Sequence, residues 1–448
     1  MALIDSDDTA AVLAELRRRK NEDDPDHFHD YKVDAAGRLE RLFWADAEAR
    51  VSSCGDVVVI DTTLQTNRYG AAFVSFVGMN HHRRPVLLGC GVLADQSPNS
   101  YVGLLRAFMI SMGQERPKSL ITDGGDALIH AVETVLPQSN HRICSCHLEE
   151  GIGEHLGGRS AQDGFRSLML EDGCSPVEFE ERWRSLVARH RTASNQEWLC
   201  RMYVKRELWA AAFVRDKFFL GLARDEDKGM ECLCLSSGLL TRFSEDMTLL
   251  ALLQRADSSG KNMRAQEAEL DEEADKSRVE LTTEHKCLEE DAARSFTPAN
   301  FAIVLEEIEA LDDFEIVDTL SSSSGRSGHK VYTLDLHGDL FSVLQSHNHA
   351  KDDKETHSSI IFKCSCRKME RDGLPCRHIF HVLQHEKASS IPKCCKLGRL
   401  LRRGDTRSER LGQMEALGRQ VFDLASQDAE EFEEIKEFLQ GWLEDREQ

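Results

Sequence analysis

Residues 57–93 read VVVIDTTLQTNRYGAAFVSFVGMNHHRRPVLLGCGVL. Three runs rich in Val, Ile, Leu and Phe, VVVIDTT, AAFVSFVGM and PVLLGCGVL, are separated by the turn-forming segments LQTNRYG and NHHRR. Short β-branched runs bounded by Gly, Asn and Pro read as strands joined in hairpin order. Downstream, SYVGLLRAFMISM has helical spacing, KSLITDGG reads as a fourth strand, a helix is expected from about Ala127 to Val135, and HRICSCH reads as a further strand. Hairpin-linked strands followed by alternating helix and strand predict an α/β fold, a mixed sheet covered by helices.

Beyond about Leu148 the strand signals stop, and FEERWRSLVARH, WLCRMYVKRELWAAAF and DMTLLALLQRA predict an all-helical insertion. The stretch from about Arg264 to Asp313 is acidic and helical and reads as a solvated face carrying no chemistry. The segment SSSSGRSGH reads as a boundary loop, and VYTLDL, FSVLQS and SIIFKC as short strands leading into a cysteine-rich motif. Upstream, residues 1–50 predict one short amphipathic helix built on Val12, Leu13 and Leu16 ahead of FWADAEAR.

The chain has 448 residues, and its 41% hydrophobic content suffices for at least one substantial core. A formal net charge of -22 argues against a protein that coats nucleic acid over its whole surface, because neutralising phosphates takes clustered Lys and Arg. The basic clusters are RRRK at 17–20 and KCCKLGRLLRRG at 393–404, each a candidate nuclear-import or phosphate-contacting patch. No signal-peptide pattern opens the chain and no apolar run would span a bilayer, so an intracellular protein without membrane contact is expected. In a reducing compartment the fourteen cysteines read as buried thiols or metal ligands.

Spacing separates the two. Residues 363–383, KCSCRKMERDGLPCRHIFHVL, place Cys364 and Cys366 one residue apart and Cys376 and His378 one residue apart, across a loop that holds Gly373 and Pro375. Four soft donors in two pairs match a closed tetrahedral Zn²⁺ site, structural rather than catalytic. Ile379, Phe380, Val382 and Leu383 supply a packing face for a unit that metal binding would fold.

Two acidic residues close strands: Asp61 ends VVVID and Asp123 follows KSLIT. On neighbouring strands their carboxylates would meet at one sheet edge, as metal-assisted phosphoryl transfer requires, although Asp is also common at strand ends as a turn or cap residue.

The cysteine-rich motif resembles the SWIM zinc finger of Mutator-type transposases. IDTTLQTNRYGAAFVSFVGMNHH, LLGCGVL, LITDGGDAL and HRICSCHL resemble the Mutator-like transposase domain in the form carried by the plant far-red-impaired-response family. That resemblance implies a ribonuclease-H-like mixed sheet with a helical insertion. It implies that Asp61 and Asp123 fill the first two positions of an acidic triad, and that Cys144 with His147 form a short Cys/His motif. The third acid is expected after FFLGL, where ungapped counting places Gly229, with Glu231 two residues beyond it and Glu226 three before. Without that acid a Mg²⁺ pair would be poorly held. Family members begin with a zinc-binding DNA-recognition domain, and this sequence starts about where that domain would end.

The expected organisation is a lead-in over 1–50, the transposase-like domain with its insertion over 51–260, an acidic helical segment and linker over 261–325, the zinc-finger region over 326–396, and a basic patch with an acidic helix over 397–448. The resemblance implies a nuclear transcriptional regulator linked to light-controlled plant development, catalytically inactive. Expected partners are other family members, as homo- or hetero-oligomers, and DNA, bound weakly by this chain alone or through those partners. Two further functions compete with it: an active metal-dependent transposase, and an interaction-only relative that modulates full-length members.

Overall fold

The structure, a computed structural model, describes residues 4–51, 54–62, 67–171, 174–222, 244, 246–276, 279–311, 314–324, 327–336, 338–352 and 355–402, with scattered positions between 421 and 440. It divides into two units, Met1–Leu400 and Leu401–Gln448. The architecture that follows belongs to the first.

A seven-stranded mixed sheet forms from β1 (Phe28–Val33), β2 (Leu39–Ala45), β3 (Val57–Asp61), β4 (Ala72–Met79), β5 (Pro85–Leu93), β6 (Ser119–Thr122) and β7 (Asn140–Ile143), in the spatial order β1-β2-β5-β4-β3-β6-β7. Strands β3, β4 and β5 are an antiparallel meander, whereas β6 and β7 run parallel to β3. Every residue of β3 and β4 is buried, which is why their sequences read as continuous apolar runs rather than as an alternation.

The helices of this half are α1 (Ser6–Arg18), α2 (Ala47–Val51), α3 (Pro98–Ser111) and α4 (Asp126–Val135). One sheet face packs Phe43, Ile60 and Phe76 against Leu104 and Phe108 of α3 and Leu128 and Val132 of α4. Ser97 caps α3 by accepting from Ser100 N at 3.3 Å, with Pro98 in the first turn, where a missing N–H costs nothing. Glycines in β5 allow close approach: a Cβ at Gly89 would lie 2.7 Å from Phe43 Cζ, and one at Gly91 would lie 2.5 Å from Leu104 Cδ1.

The insertion comprises α5 (Ser145–His155), α6 (Arg159–Leu170), α7 (Pro176–His190), α8 (Gln196–Val204) and α9 (Ala211–Val214). Its own core gathers Phe165, Phe179, Trp183, Trp198 and Trp209. Phe165 and Trp209 stack at 4.4 Å. A capping box between Ser175 and Glu178 starts α7. The chain returns through α10 (Leu249–Lys276), which lies against β5 and α1. It continues through α11 (Lys286–Ser295) and α12 (Pro298–Glu309) into a four-stranded antiparallel meander, β8 (Glu315–Ser324), β9 (Ser327–Leu336), β10 (Asp339–Asp352) and β11 (Glu355–Cys364). Helices α13 (Lys368–Asp372) and α14 (Arg377–His385) follow. Among the described residues no helix is long and apolar enough to cross a membrane.

Four local readings change. The lead-in holds not only α1 but also the β1–β2 hairpin, which extends the sheet beyond β5. Strand β7 stops at Ile143, so CSCH lies at the start of α5. The described residues of the SSSSGRSGH segment are not an open loop but lie on β8 and β9, with Ser324 paired to Ser327. The acidic stretch is not wholly a solvated face: Glu267, Glu289, Asp291 and Glu307 are buried, Glu289 against the backbone N–H groups of nearby Thr282 and Thr283, and Glu267, Asp291 and Glu307 against His81, Lys396 and Arg377 from elements far along the chain.

Candidate functional site

The cysteine and histidine donors converge where the second sheet ends. Cys364 closes β11, opposite Val343 on β10. Arg367, in the left-handed conformation with φ 56°, turns the chain into α13, and Gly373, with φ 76°, ends that helix. The turn brings Cys376 to the N-cap of α14 and puts His378 in its first turn. Ligand atoms of Cys364, Cys366, Cys376 and His378 all lie within 4.8 Å of one another. His378 Nδ1 is 3.5 Å from Cys364 Sγ, and its ring stacks on Phe341 at 4.0 Å and meets Phe314 edge-on at 4.8 Å.

Cys364, Cys376 and His378 are each no more than 5% exposed. The Cys364 and Cys376 thiols hydrogen-bond to Cys366 and hold it far below its ordinary value. Its partnership with Cys366 raises Cys364 to about 12, and burial pushes Cys376 well up. Three sulfurs and an imidazole packed this closely, with no carboxylate among them, fit a dication that takes all three as thiolates.

A cysteine committed to a metal makes a poor helix cap, and Cys376 makes no side-chain cap bond. The α14 N-terminus is satisfied instead from α12. Glu307 Oε2 accepts from Arg377 N at 2.8 Å and from Arg377 Nε at 3.0 Å, and Lys368 Nζ stands 3.8 Å from Glu307 Oε1. Burial raises the Glu307 carboxyl, but Arg377 and Lys368 outweigh it and hold the group below its ordinary value. A negative charge at that end also suits the helix dipole. The apolar face of α14, with Ile379, Phe380, Val382 and Leu383, is buried. His381 donates from Nδ1 to the Leu311 carbonyl at 3.0 Å and His385 is exposed, so neither joins the donor set.

The acidic pair lies on the first sheet. Ile60 pairs with Thr122 across the parallel β3–β6 ladder, so Asp61 and Asp123 stand side by side at the carboxyl ends of neighbouring strands. Asp123 Oδ2 accepts from Thr62 N at 3.2 Å and from the Thr62 hydroxyl, and Oδ1 accepts from Gly125 N at 2.9 Å. Asp61 is fully buried, and His147 Nε2 lies 3.9 Å from its Oδ1. Cys144 is the N-cap residue of α5 and is buried. Among the described residues Cys144 and His147 belong to no group of three or more metal donors. Gly229, Glu226 and Glu231 lie outside the described residues.

Several cations of both basic clusters are engaged within the fold. Arg17 donates to the Tyr31 hydroxyl at 2.9 Å, Arg18 and Arg19 pair with Glu15, and Arg19 also meets Asp257. Lys396 pairs with buried Asp291 at 2.8 Å, and Arg399 is buried against Asp56 and the Met79 carbonyl. Sequence reasoning missed a second donor group, His81, His82 and Asp271, whose only local signal is the adjacent histidine pair.

Residues 57–150 match the MULE transposase domain, and residues 363–387 match the SWIM zinc finger. Protein FAR1-RELATED SEQUENCE 4 of Arabidopsis thaliana is 29% identical over 392 residues, covering 86% of this chain and 50% of that protein. Protein FAR1-RELATED SEQUENCE 7 is 29% identical over 390 residues, covering 85% and 48%. Protein FAR-RED IMPAIRED RESPONSE 1 is 32% identical over 223 residues, covering 48% and 27%. The chain thus spans about half the length, or less, of these curated relatives.

Proposed function

We propose, from the premise that the chain belongs to the transposase-derived far-red-impaired-response-related family, that it acts in the nucleus as a zinc-dependent transcriptional regulator in light-controlled development and no longer cuts DNA. Cys364, Cys366, Cys376 and His378 hold one structural Zn²⁺, which fastens α14 to β11. The observation that carries this reading is the four-donor cluster, joined through Glu307 to α12.

The ribonuclease-H-like assignment is supported by the order of an antiparallel meander followed by two parallel strands, interrupted by a helical insertion. Loss of cutting is supported by Gly229 at the expected third-acid position and by the full burial of Asp61. Catalysis at a phosphate needs carboxylates that metal and substrate can reach. A second reading, a metal-dependent transposase, is favoured by the adjacency of Asp61 and Asp123 alone. In the regulatory reading those acids, with Thr62 and Gly125, serve as turn-closing groups at the strand ends.

DNA engagement by this chain alone is weak, because cations of its two basic clusters serve the fold instead: Arg19, Lys396 and Arg399 are paired inside it. Tight binding comes through other family members. A reporter assay tests the proposal: fused to a heterologous DNA-binding domain in plant cells, the chain should change transcription equally in wild type and Asp61→Ala, and lose the effect in Cys376→Ser. No effect from the wild-type fusion would contradict the regulatory reading.

A further inference from the structure

Four consecutive polar residues, Asn80, His81, His82 and Arg83, are buried in the β4–β5 turn. Burying such a run is costly unless it is organised for something. The turn is strongly fixed. Asn80 Oδ1 accepts from His82 N at 3.0 Å and Arg84 N at 2.9 Å, and Arg83 takes φ 60°. The His81 carbonyl accepts from Thr297 Oγ1 at 2.6 Å and Asn300 Nδ2 at 2.8 Å, both at the start of α12.

The imidazoles converge on α10. His81 Nε2 is 2.6 Å and His82 Nε2 2.7 Å from the same oxygen, Asp271 Oδ1, and the rings lie 4.3 Å apart. The other nitrogen of His81, Nδ1, faces Glu267 Oε1 at 3.4 Å. His81, His82 and Glu267 are each no more than 6% exposed.

Proton placement makes this arrangement informative. If neutral His81 donates from Nε2 to Asp271, its Nδ1 presents a lone pair to the Glu267 carboxylate, and two acceptors oppose each other in a buried site. If a divalent ion takes the place of the Nε2 proton, Nδ1–H donates to Glu267. That is the carboxylate–histidine–metal relay that orients metal-bound imidazoles. The charges then balance, because Asp271 and Glu267 together offset a dication.

We propose that His81 Nε2, His82 Nε2 and the Asp271 carboxylate form a second metal site, oriented by Glu267, for a borderline divalent transition ion of the Zn²⁺ or Co²⁺ class. Two imidazoles and one carboxylate suit such an ion better than Mg²⁺ or Ca²⁺, which favour oxygen donors. The site ties the β4–β5 turn to α10. It lies at the far end of β4 from Asp61, which pairs with Ser75, whereas Met79 pairs with Pro85 beside the turn. It does not depend on the regulatory reading above.

Metal content of the purified full chain, after dialysis against chelating resin, tests the proposal. The expected values are about two equivalents of transition metal in the wild type and about one each in Asp271→Asn, His82→Gln and Cys376→Ser. The equivalent kept by Asp271→Asn reports that the cysteine site is intact. One equivalent in the wild type, unchanged in Asp271→Asn, would overturn the proposal and leave a buried ion-pair network. If Asp271→Asn misfolds and loses both, Co²⁺ titration of metal-stripped wild type decides. Two binding phases are expected, one with thiolate-to-cobalt charge transfer and one with weak ligand-field bands only. A single thiolate phase would overturn it.

Discussion

At the residue scale the zinc-finger donors were legible because they are local: two close pairs across a short loop need no knowledge of the tertiary fold. Replacing Cys376 with Ser should remove about one equivalent of Zn²⁺ and make the segment carrying α13 and α14 sensitive to protease, since metal binding and folding are coupled there. Metal analysis with limited proteolysis checks it, and full zinc content in the variant would refute the ligand assignment. The histidine pair at 81–82 gave no such signal, because its acidic partner Asp271 lies 190 residues from His81. Helical periodicity alone made Asp271 look solvated, and only the packing of α10 on β5 turns it inward.

At the element scale the central strands were easy to read and the peripheral ones were not. Strands β3 and β4 are buried on both faces and therefore uniformly apolar, whereas β1, FHDYKV, is an edge strand with no fully buried residue and so carries little pattern. A serine-rich tract reads as linker by composition, yet β8 and β9 form a hairpin around it because β9 brings Tyr332 and Leu334, both fully buried. The Glu307 latch between α12 and α14 makes a quantitative prediction. Glu307→Ala leaves the α14 N-terminus and half-exposed Arg377 without their acceptor, so stability should fall by about 1–3 kcal/mol in urea unfolding. Because the folded carboxyl is held below its ordinary value, the latch contributes fully above the ordinary glutamate range near pH ~4.3 and weakens as pH falls through the folded value. Glu307→Gln should therefore lack part of the wild-type acid transition; an identical acid profile would refute the latch. In β5, Gly91→Ala should cost about 1–3 kcal/mol, because the new Cβ meets Leu104 of α3, and thermal melting checks it.

At the scale of the whole molecule, composition excluded more than it identified. A net charge of -22 argues against a nucleic-acid coat, but it could not show that cations of both basic clusters serve internal pairing. Duplex DNA should consequently bind weakly, with little sequence preference, and release as salt rises toward physiological strength. Fluorescence anisotropy over a salt series checks this, and a tight complex preferring one sequence at physiological salt would contradict it. The central claim is that a transposase framework persists here as a regulator's scaffold. Its most direct test is incubation of the purified, zinc-loaded chain with end-labelled duplexes in Mg²⁺ or Mn²⁺, beside Asp61→Ala and Asp123→Ala. The account predicts neither nicking nor joining by any of the three proteins. Metal-dependent cleavage by the wild type that disappears in both variants would contradict it.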